Sequence, residues 1–218
     1  MIIAVGFIAC SDDDNDGKII VDGDTALLDV SAGQLETLLA KDDVSGVKNV
    51  IIKGKMNLYD FQALSQVEGL ENLDISGVSL KGGVFKENLC TFETEGEDNY
   101  YLWKWAFRAL GNKIILRFPN LKSVVLPAHN KIADSGLFAH YTKLEKVVLS
   151  QDLSILGSKA FDECPLKTIY SKALVPPHVV PGTFSDLPTD CILYVPKGAK
   201  DIYMQADEWK EFNNIREE

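Results

Sequence analysis

The segment from Leu121 to Lys172 repeats itself, and that repetition constrains the fold more than any other feature of the chain. Leu121, Leu144 and Leu166 each open the frame L-x-x-[VI]-x-[LS], spaced by 23 and then 22 residues. Counting on from Leu126 and Leu149, an isoleucine follows six residues later (Ile132, Ile155) and a phenylalanine twelve later (Phe138, Phe161). Tyr141 and Cys164 come three residues beyond. In the two V-V-L triplets the period of two sends the outer residues to one side of a short strand and the middle one to the other. Val124, Leu126, Val147 and Leu149 are therefore expected in a core. One coil of this length cannot cover its own apolar face, so neighbouring coils must stack and share an interior. Phe138 and Phe161 are expected to close that interior from the opposite wall.

The strand frame followed by I-x-x-x-[AL]-F-x-x-[CY] resembles the BspA-like leucine-rich repeat family of surface lipoproteins from gut and oral Gram-negative anaerobes. The family's I-G-x-x-A-F-x-x-C is nearly complete in Leu156, Gly157, Ala160, Phe161 and Cys164; one repeat earlier Asp134 and Leu137 replace the glycine and alanine. The resemblance implies an α/β fold, a right-handed leucine-rich repeat solenoid of about five to six coils with amino- and carboxy-terminal caps. It also implies a non-catalytic cell-surface protein for binding and adhesion.

The first ten residues, MIIAVGFIAC, are apolar with small residues before a cysteine, and the text then turns to SDDDND. This is similar to the end of a lipoprotein signal peptide, with Phe7-Ile8-Ala9-Cys10 as lipobox and Cys10 as the acylated residue. Residues 1–17 then form a signal remnant and acidic tether, and the expected location is the outer membrane, exposed at the cell surface. Asp12, Asp14, Asp16 and Gly17 spell the start of a calcium loop, but its twelfth place holds Gly23 instead of a bidentate glutamate. The run reads as linker, with no metal.

Residues 18–46 are expected to form the amino-terminal cap: a strand K-I-I-V, then a helix with Ser31 and Gln34 as a capping box and Leu35, Leu38 and Leu39 as its apolar stripe. The strand frame recurs at Val47 and Leu70, again 23 apart, with Phe61 and Leu64 between. The repeat array is read over 47–189. From Leu70 to Leu121 two repeats of this length do not fill the interval, which places an insertion at about 87–112. There Leu102, Trp105, Ala106, Ala109 and Leu110 follow helical spacing. An aromatic carbohydrate site using Tyr100, Tyr101, Trp103 and Trp105 is the functional alternative to that structural reading. Beyond Leu166 the repeat phenylalanine returns as Phe184. Residues 190–218 are read as a carboxy-terminal cap: a last strand from Cys191 to Val195, ended by Pro196, and a final helix carrying Ile202, Tyr203, Ala206 and Trp209, with Phe212 beyond.

Composition narrows function mainly by exclusion. A net charge of −10 and a pI near 4.8 argue against nucleic acid and against a polybasic membrane patch, and no run of 18 apolar residues occurs. His129, His140 and His178 have neither metal spacing nor a partnered nucleophile, and no hydrolase, phosphate-loop or dinucleotide fingerprint is present. No enzyme and no cofactor is expected. With Cys10 carrying lipid, Cys90, Cys164 and Cys191 are an odd number, read as free thiols. The candidate binding surface is the open side of the sheet, where the middle strand residues Ile51, Asp74, Val125, Val148, Tyr170 and Tyr194 project. Val125, Val148, Tyr170 and Tyr194 should form an apolar column, rimmed by Lys122, Lys146 and Lys167. The partner is a host matrix or cell-surface protein, or a glycan, with a glycan-capture accessory lipoprotein for nutrient uptake as the alternative. The chain is expected to be a monomer.

Overall fold

A computed structural model of the chain describes residues 17–80, 84–87, 90–93, 107–109, 115–133 and 135–218. The fold is a mixed, sheet-dominated α/β arrangement with few and short helices. An amino-terminal hairpin of β1 (Lys18–Asp22) and β2 (Thr25–Val30) leads into α1 (Leu35–Leu39), β3 (Asn49–Met56), α2 (Leu58–Leu64) and β4 (Asn72–Leu80). Two antiparallel pairs follow, β5 (Val84–Glu87) with β6 (Cys90–Glu93) and β7 (Arg108–Ala109) with β8 (Ile115–Leu116). Ala109, expected on a helix, thus lies in a strand.

The repeats proper alternate two kinds of strand: β9 (Ser123–Val125), β11 (Lys146–Leu149), β13 (Thr168–Ser171) and β15 (Ile192–Val195), interleaved with the two-residue strands β10 (Ile132–Ala133), β12 (Ile155–Leu156) and β14 (His178–Val179). The chain ends in α3 (Lys200–Tyr203), a 3-10 turn (Trp209–Glu211) and β16 (Asn214–Glu217). One sheet of nine strands runs β1-β2-β3-β4-β9-β11-β13-β15-β16, and a second of three runs β10-β12-β14. Apart from the β1–β2 hairpin, every pairing in both sheets is parallel.

The expected core positions are filled: Val124, Leu126, Val147, Leu149, Phe138 and Phe161 are all at most 2% exposed. A file of aromatic rings runs through the interior from Phe61 to Phe107 (6.0 Å between centroids), Phe138 (4.8 Å), Phe161 (6.2 Å) and Phe184 (6.4 Å), closing on Trp209 (5.0 Å) and Phe212 (4.9 Å). Offset or tilted contacts of this kind add ~0.5–1.5 kcal/mol each beyond burial. The Tyr141 hydroxyl donates to the Phe107 carbonyl (2.6 Å), and the Cys164 thiol to the Phe138 carbonyl (3.0 Å). Tyr141 and Cys164 therefore fill one slot, bonded to the phenylalanine of the preceding coil. That equivalence makes Phe107 the repeat phenylalanine of the long interval, a residue the helical spacing of its neighbours concealed. Cys164 and Cys191 are buried thiols, and burial pushes the Cys191 thiol up to about 11.

Three local expectations are corrected. Ser31 and Gln34 form no capping box: the α1 cap makes no side-chain hydrogen bond. The carboxylate of Asp60, 1% exposed, accepts instead from the amides of Leu35 (3.0 Å), Gly33 (2.8 Å) and Asn57 (2.8 Å). One α2 residue thereby serves the start of α1 and, with Asn57, makes the capping box of its own helix. The final helix is only the four residues of α3 and a separate 3-10 turn, with Glu208 at φ 66° between them. Nor is Cys191–Val195 the last strand, since β16 pairs parallel beyond it.

Between Ile51 and Lys53 the β3–β4 register shifts, and the chain passes close to β2 just beyond. Gly54 has φ 102°, and a Cβ there would lie 2.2 Å from the Val30 carbonyl oxygen. Only glycine fits that approach. The expectations at Cys10, along the acidic run, and at Tyr100, Tyr101, Leu102, Trp103, Trp105, Ala106, Leu110 and Asp134 lie outside the described residues.

Candidate functional site

Parallel pairing lines up one outward residue per strand, the β3–β4 shift falling just beyond that row. Register partners run Leu27, Ile51, Asp74, Val125, Val148, Tyr170, Tyr194 and Arg216 across eight strands. The sequence-derived column is therefore brought together, and it carries two residues more at one end and the other. Ile51 is 38% exposed, Asp74, Val125, Tyr170 and Tyr194 are half-buried, and Val148 is 9% exposed. Val148 is thus a correction: flanked by Val125 and Tyr170 in its row, it is largely covered.

At the carboxy-terminal end the rings of Tyr170 and Tyr194 stack at 4.5 Å with an interplanar angle of 7°, close to the ~4.8 Å spacing of adjacent strands that sets it. The Lys146 ammonium lies 5.0 Å from the Tyr170 ring centre and that of Lys172 5.8 Å from it, within cation–π reach. Burial raises the Tyr170 phenol above its ordinary value, with the neighbouring Tyr194 and Glu218 adding to the shift. Lys172 also pairs with Glu218.

The expected lysine rim divides. Lys122 pairs with Glu71 at 2.8 Å and Lys167 with Glu145 at 2.8 Å. The hydrogen bond from Lys122 holds the Glu71 carboxyl below its usual range. These residues belong to a regular feature of the strand entries, where each backbone amide donates to the carbonyl of the coil before: Lys48 to Asp24, Glu71 to Lys48, Lys122 to Glu71, Glu145 to Lys122 and Lys167 to Glu145, all at 2.7 or 2.8 Å. Their side chains alternate in sign. Only Lys146 of the three stands at the aromatic pair. Lys172 and Arg216 join it there; the sequence placed neither, because Lys172 lies past the strand triplet and β16 was not expected.

The opposite end of the face is built differently. In the row beside the central one, the Asn49 side-chain amide donates to Thr25 Oγ1 (3.4 Å) and that of Asn72 to Asn49 Oδ1 (2.8 Å). In the next row Lys53 pairs with Asp29 at 2.9 Å. This end satisfies itself.

The histidines act between coils. His129 Nδ1 sits 2.7 Å from Asp152 Oδ2 and His140 Nδ1 2.8 Å from Glu163 Oε2, each joining positions 23 apart. Both pairs are coil-to-coil links at turns. Among the described residues no group of three or more His, Cys, Asp or Glu side chains is arranged to hold a metal, and no helix is long and apolar enough to cross a membrane. A groove of about 370 Å³ near the carboxy terminus lies among Phe184, Leu187, Cys191 and Phe212, with Glu208 and Glu211 at its rim.

Residues 103–176 match the family model described as BspA type leucine-rich repeat region (6 copies). No curated protein matches the chain. The matched residues span β7 to β13, and the strand register continues on both sides of them. Leucine-rich repeats of this kind are a non-enzymatic repeat family that commonly mediates protein binding or adhesion. Over residues 103–176, about a third of its length, the chain is thus similar to the BspA-type leucine-rich repeat family.

Proposed function

We propose that the chain is a non-catalytic binding module whose open sheet face meets a partner protein at a cell surface. The observation that carries this reading is the unbroken outward row Val125, Val148, Tyr170 and Tyr194, assembled from four coils by parallel register. Val and Tyr suit strands anywhere, but a half-exposed stacked tyrosine pair is a large, rigid, amphipathic surface at low entropic cost, the kind that anchors protein interfaces. Tyr170 has Tyr194 over one ring face and Lys146, from the strand on the other side, over the other. That leaves no free face on this ring for a sugar, which favours a protein partner over glycan capture.

In this reading the repeats form a right-handed solenoid. The β1–β2 hairpin with α1 closes one end, and α3 with β16 the other. Cys10 carries a lipid that holds the protein, as a monomer, on the outer membrane facing outward. The support for the anchor is the sequence alone, an apolar run before Cys10 and an acidic run after it.

Binding is tested with protein beginning near Lys18, wild type and Tyr170→Ser with Tyr194→Ser, against immobilised matrix proteins, host cells and a glycan array. Loss of a specific protein interaction at unchanged melting temperature supports the face; undiminished binding by the double variant removes it. For the anchor, Cys10→Ala should move the protein out of the membrane fraction and end uptake of labelled fatty acid.

A further inference from the structure

We propose that the Tyr170–Tyr194 end of the face takes an acidic segment of a partner protein, whose carboxylates are held by Lys146 and Arg216 beside the stacked phenols. This deepens the binding-module reading and rests on it. The first observation is a local reversal of sign. The chain carries a net charge of −10, and the far end of the face presents Asp74, with Asp29 paired to Lys53. From β9 to β15 the outward residues are Ser123, Val125, Lys146, Val148, Thr168, Tyr170, Ile192 and Tyr194. None is acidic, and Arg216 follows on β16.

The second observation is that these cations are not used up. Lys122 and Lys167 are neutralised by glutamates of the coil before, and Lys172 by Glu218. Among the described residues, Lys146 meets only the Tyr170 ring, and Arg216 has only the contact of its Nε with Asn214 Oδ1 at 3.1 Å. Both are exposed. An arginine with its terminal nitrogens open matches a carboxylate as a two-toothed acceptor. The phenol hydroxyls add donors between the cations.

The scale of the patch selects a short acidic polypeptide over a polyanion such as a sulfated polysaccharide. Two cations in an acidic protein form a small field, and a densely charged polymer running past it would meet Asp74. A segment mixing carboxylates with small apolar side chains matches the cations and the half-buried Val125 together.

The test is fluorescence anisotropy with three labelled probes: a decapeptide of alternating Glu and Ala, the same peptide with Lys for Glu, and heparin. The Glu peptide should bind, the Lys peptide should not, and affinity should fall as salt rises. Lys146→Gln and Arg216→Gln should each weaken binding roughly three- to fivefold at unchanged melting temperature. Gln variants that bind the Glu peptide like wild type overturn the inference, as does binding of heparin without the Glu peptide, or of neither. The binding-module reading fails separately. Its mark is a partner found in the panel above that ignores Tyr170→Ser with Tyr194→Ser, whereas a partner lost with the tyrosines but kept with the Gln variants leaves that reading standing and removes only the acidic ligand.

Discussion

Strands β2, β3 and β4 and strands β9, β11, β13 and β15 belong to one sheet, but the chain returns behind them by different means. Behind the first set it returns through α1 and α2, and β3 and β4 run for eight and nine residues. Behind the second it returns through β10, β12 and β14, and the front strands shorten to three or four residues. A two-residue strand that hydrogen-bonds to its counterpart in the next coil leaves few choices of register. A helix bonds only within itself, and must be located by side chains. The buried Asp60 carboxylate does that for α1, with ligands up to 27 residues away. The strand-backed half is thus held by many small repeated bonds between coils, and the helix-backed half by fewer and more individual ones.

The largest test of that contrast lies in the aromatic file. Phe138→Ala and Phe161→Ala should each cost about 3–5 kcal/mol in chemical denaturation, and because each ring is shared by two neighbouring coils, hydrogen exchange should rise in both. Exchange that rises only in the mutated coil would break the picture of a half stabilised between coils. Next comes Asp60→Ala, which strands three amides and should cost about 2–3 kcal/mol. Its lost protection should be confined to α1, α2 and the flanks of β2 and β3; a uniform loss would erase the distinction between the halves.

Alkaline pH probes the other end. Tyr203 is buried, donates to the Ala173 carbonyl (2.9 Å) and therefore accepts from Ser171 Oγ (2.6 Å). Burial pushes its phenol up to about 12. A raised folded value means that this contribution is complete below the ordinary tyrosine value of ~10 and is lost as pH rises through about 12. Melting temperature should fall across that window, and less steeply in Tyr203→Phe; equal slopes would remove Tyr203 as the cause. A small effect is expected at the strand entries, where Lys122→Ala should cost no more than ~1 kcal/mol and less at high salt. Lys143→Ala, at an exposed turn, should be close to neutral in the same denaturation experiment.

The two halves were also unequally legible in the sequence. The V-V-L triplets and their spacing carry the register of β9 and β11, and Ile132 and Ile155 mark β10 and β12 even though two residues are too few to be read as strands. Phe107 was hidden because its neighbours satisfy helical spacing, and helical period is a stronger signal than a single displaced ring. β16 was hidden because N-I-R-E buries only Ile215, so no alternation announces it. In the helix-backed half the local pattern misled: Ser31 and Gln34 fit a capping box by spacing, while the group that caps α1 arrives from another element. The face repeats the lesson. Its column follows from the triplets alone, but which lysines stand beside the tyrosines depends on glutamates one coil away.

The strand entries hold a consequence of another kind. Asp24, Lys48, Glu71, Lys122, Glu145 and Lys167 succeed one another along a single backbone ladder with charges that alternate without a break. Such a ladder has parity. Excising the coil 122–144 would set Glu71 against Glu145, while excising 122–166 would set Glu71 against Lys167 and restore the alternation. A protein of this kind should tolerate being lengthened or shortened by pairs of coils better than by single ones.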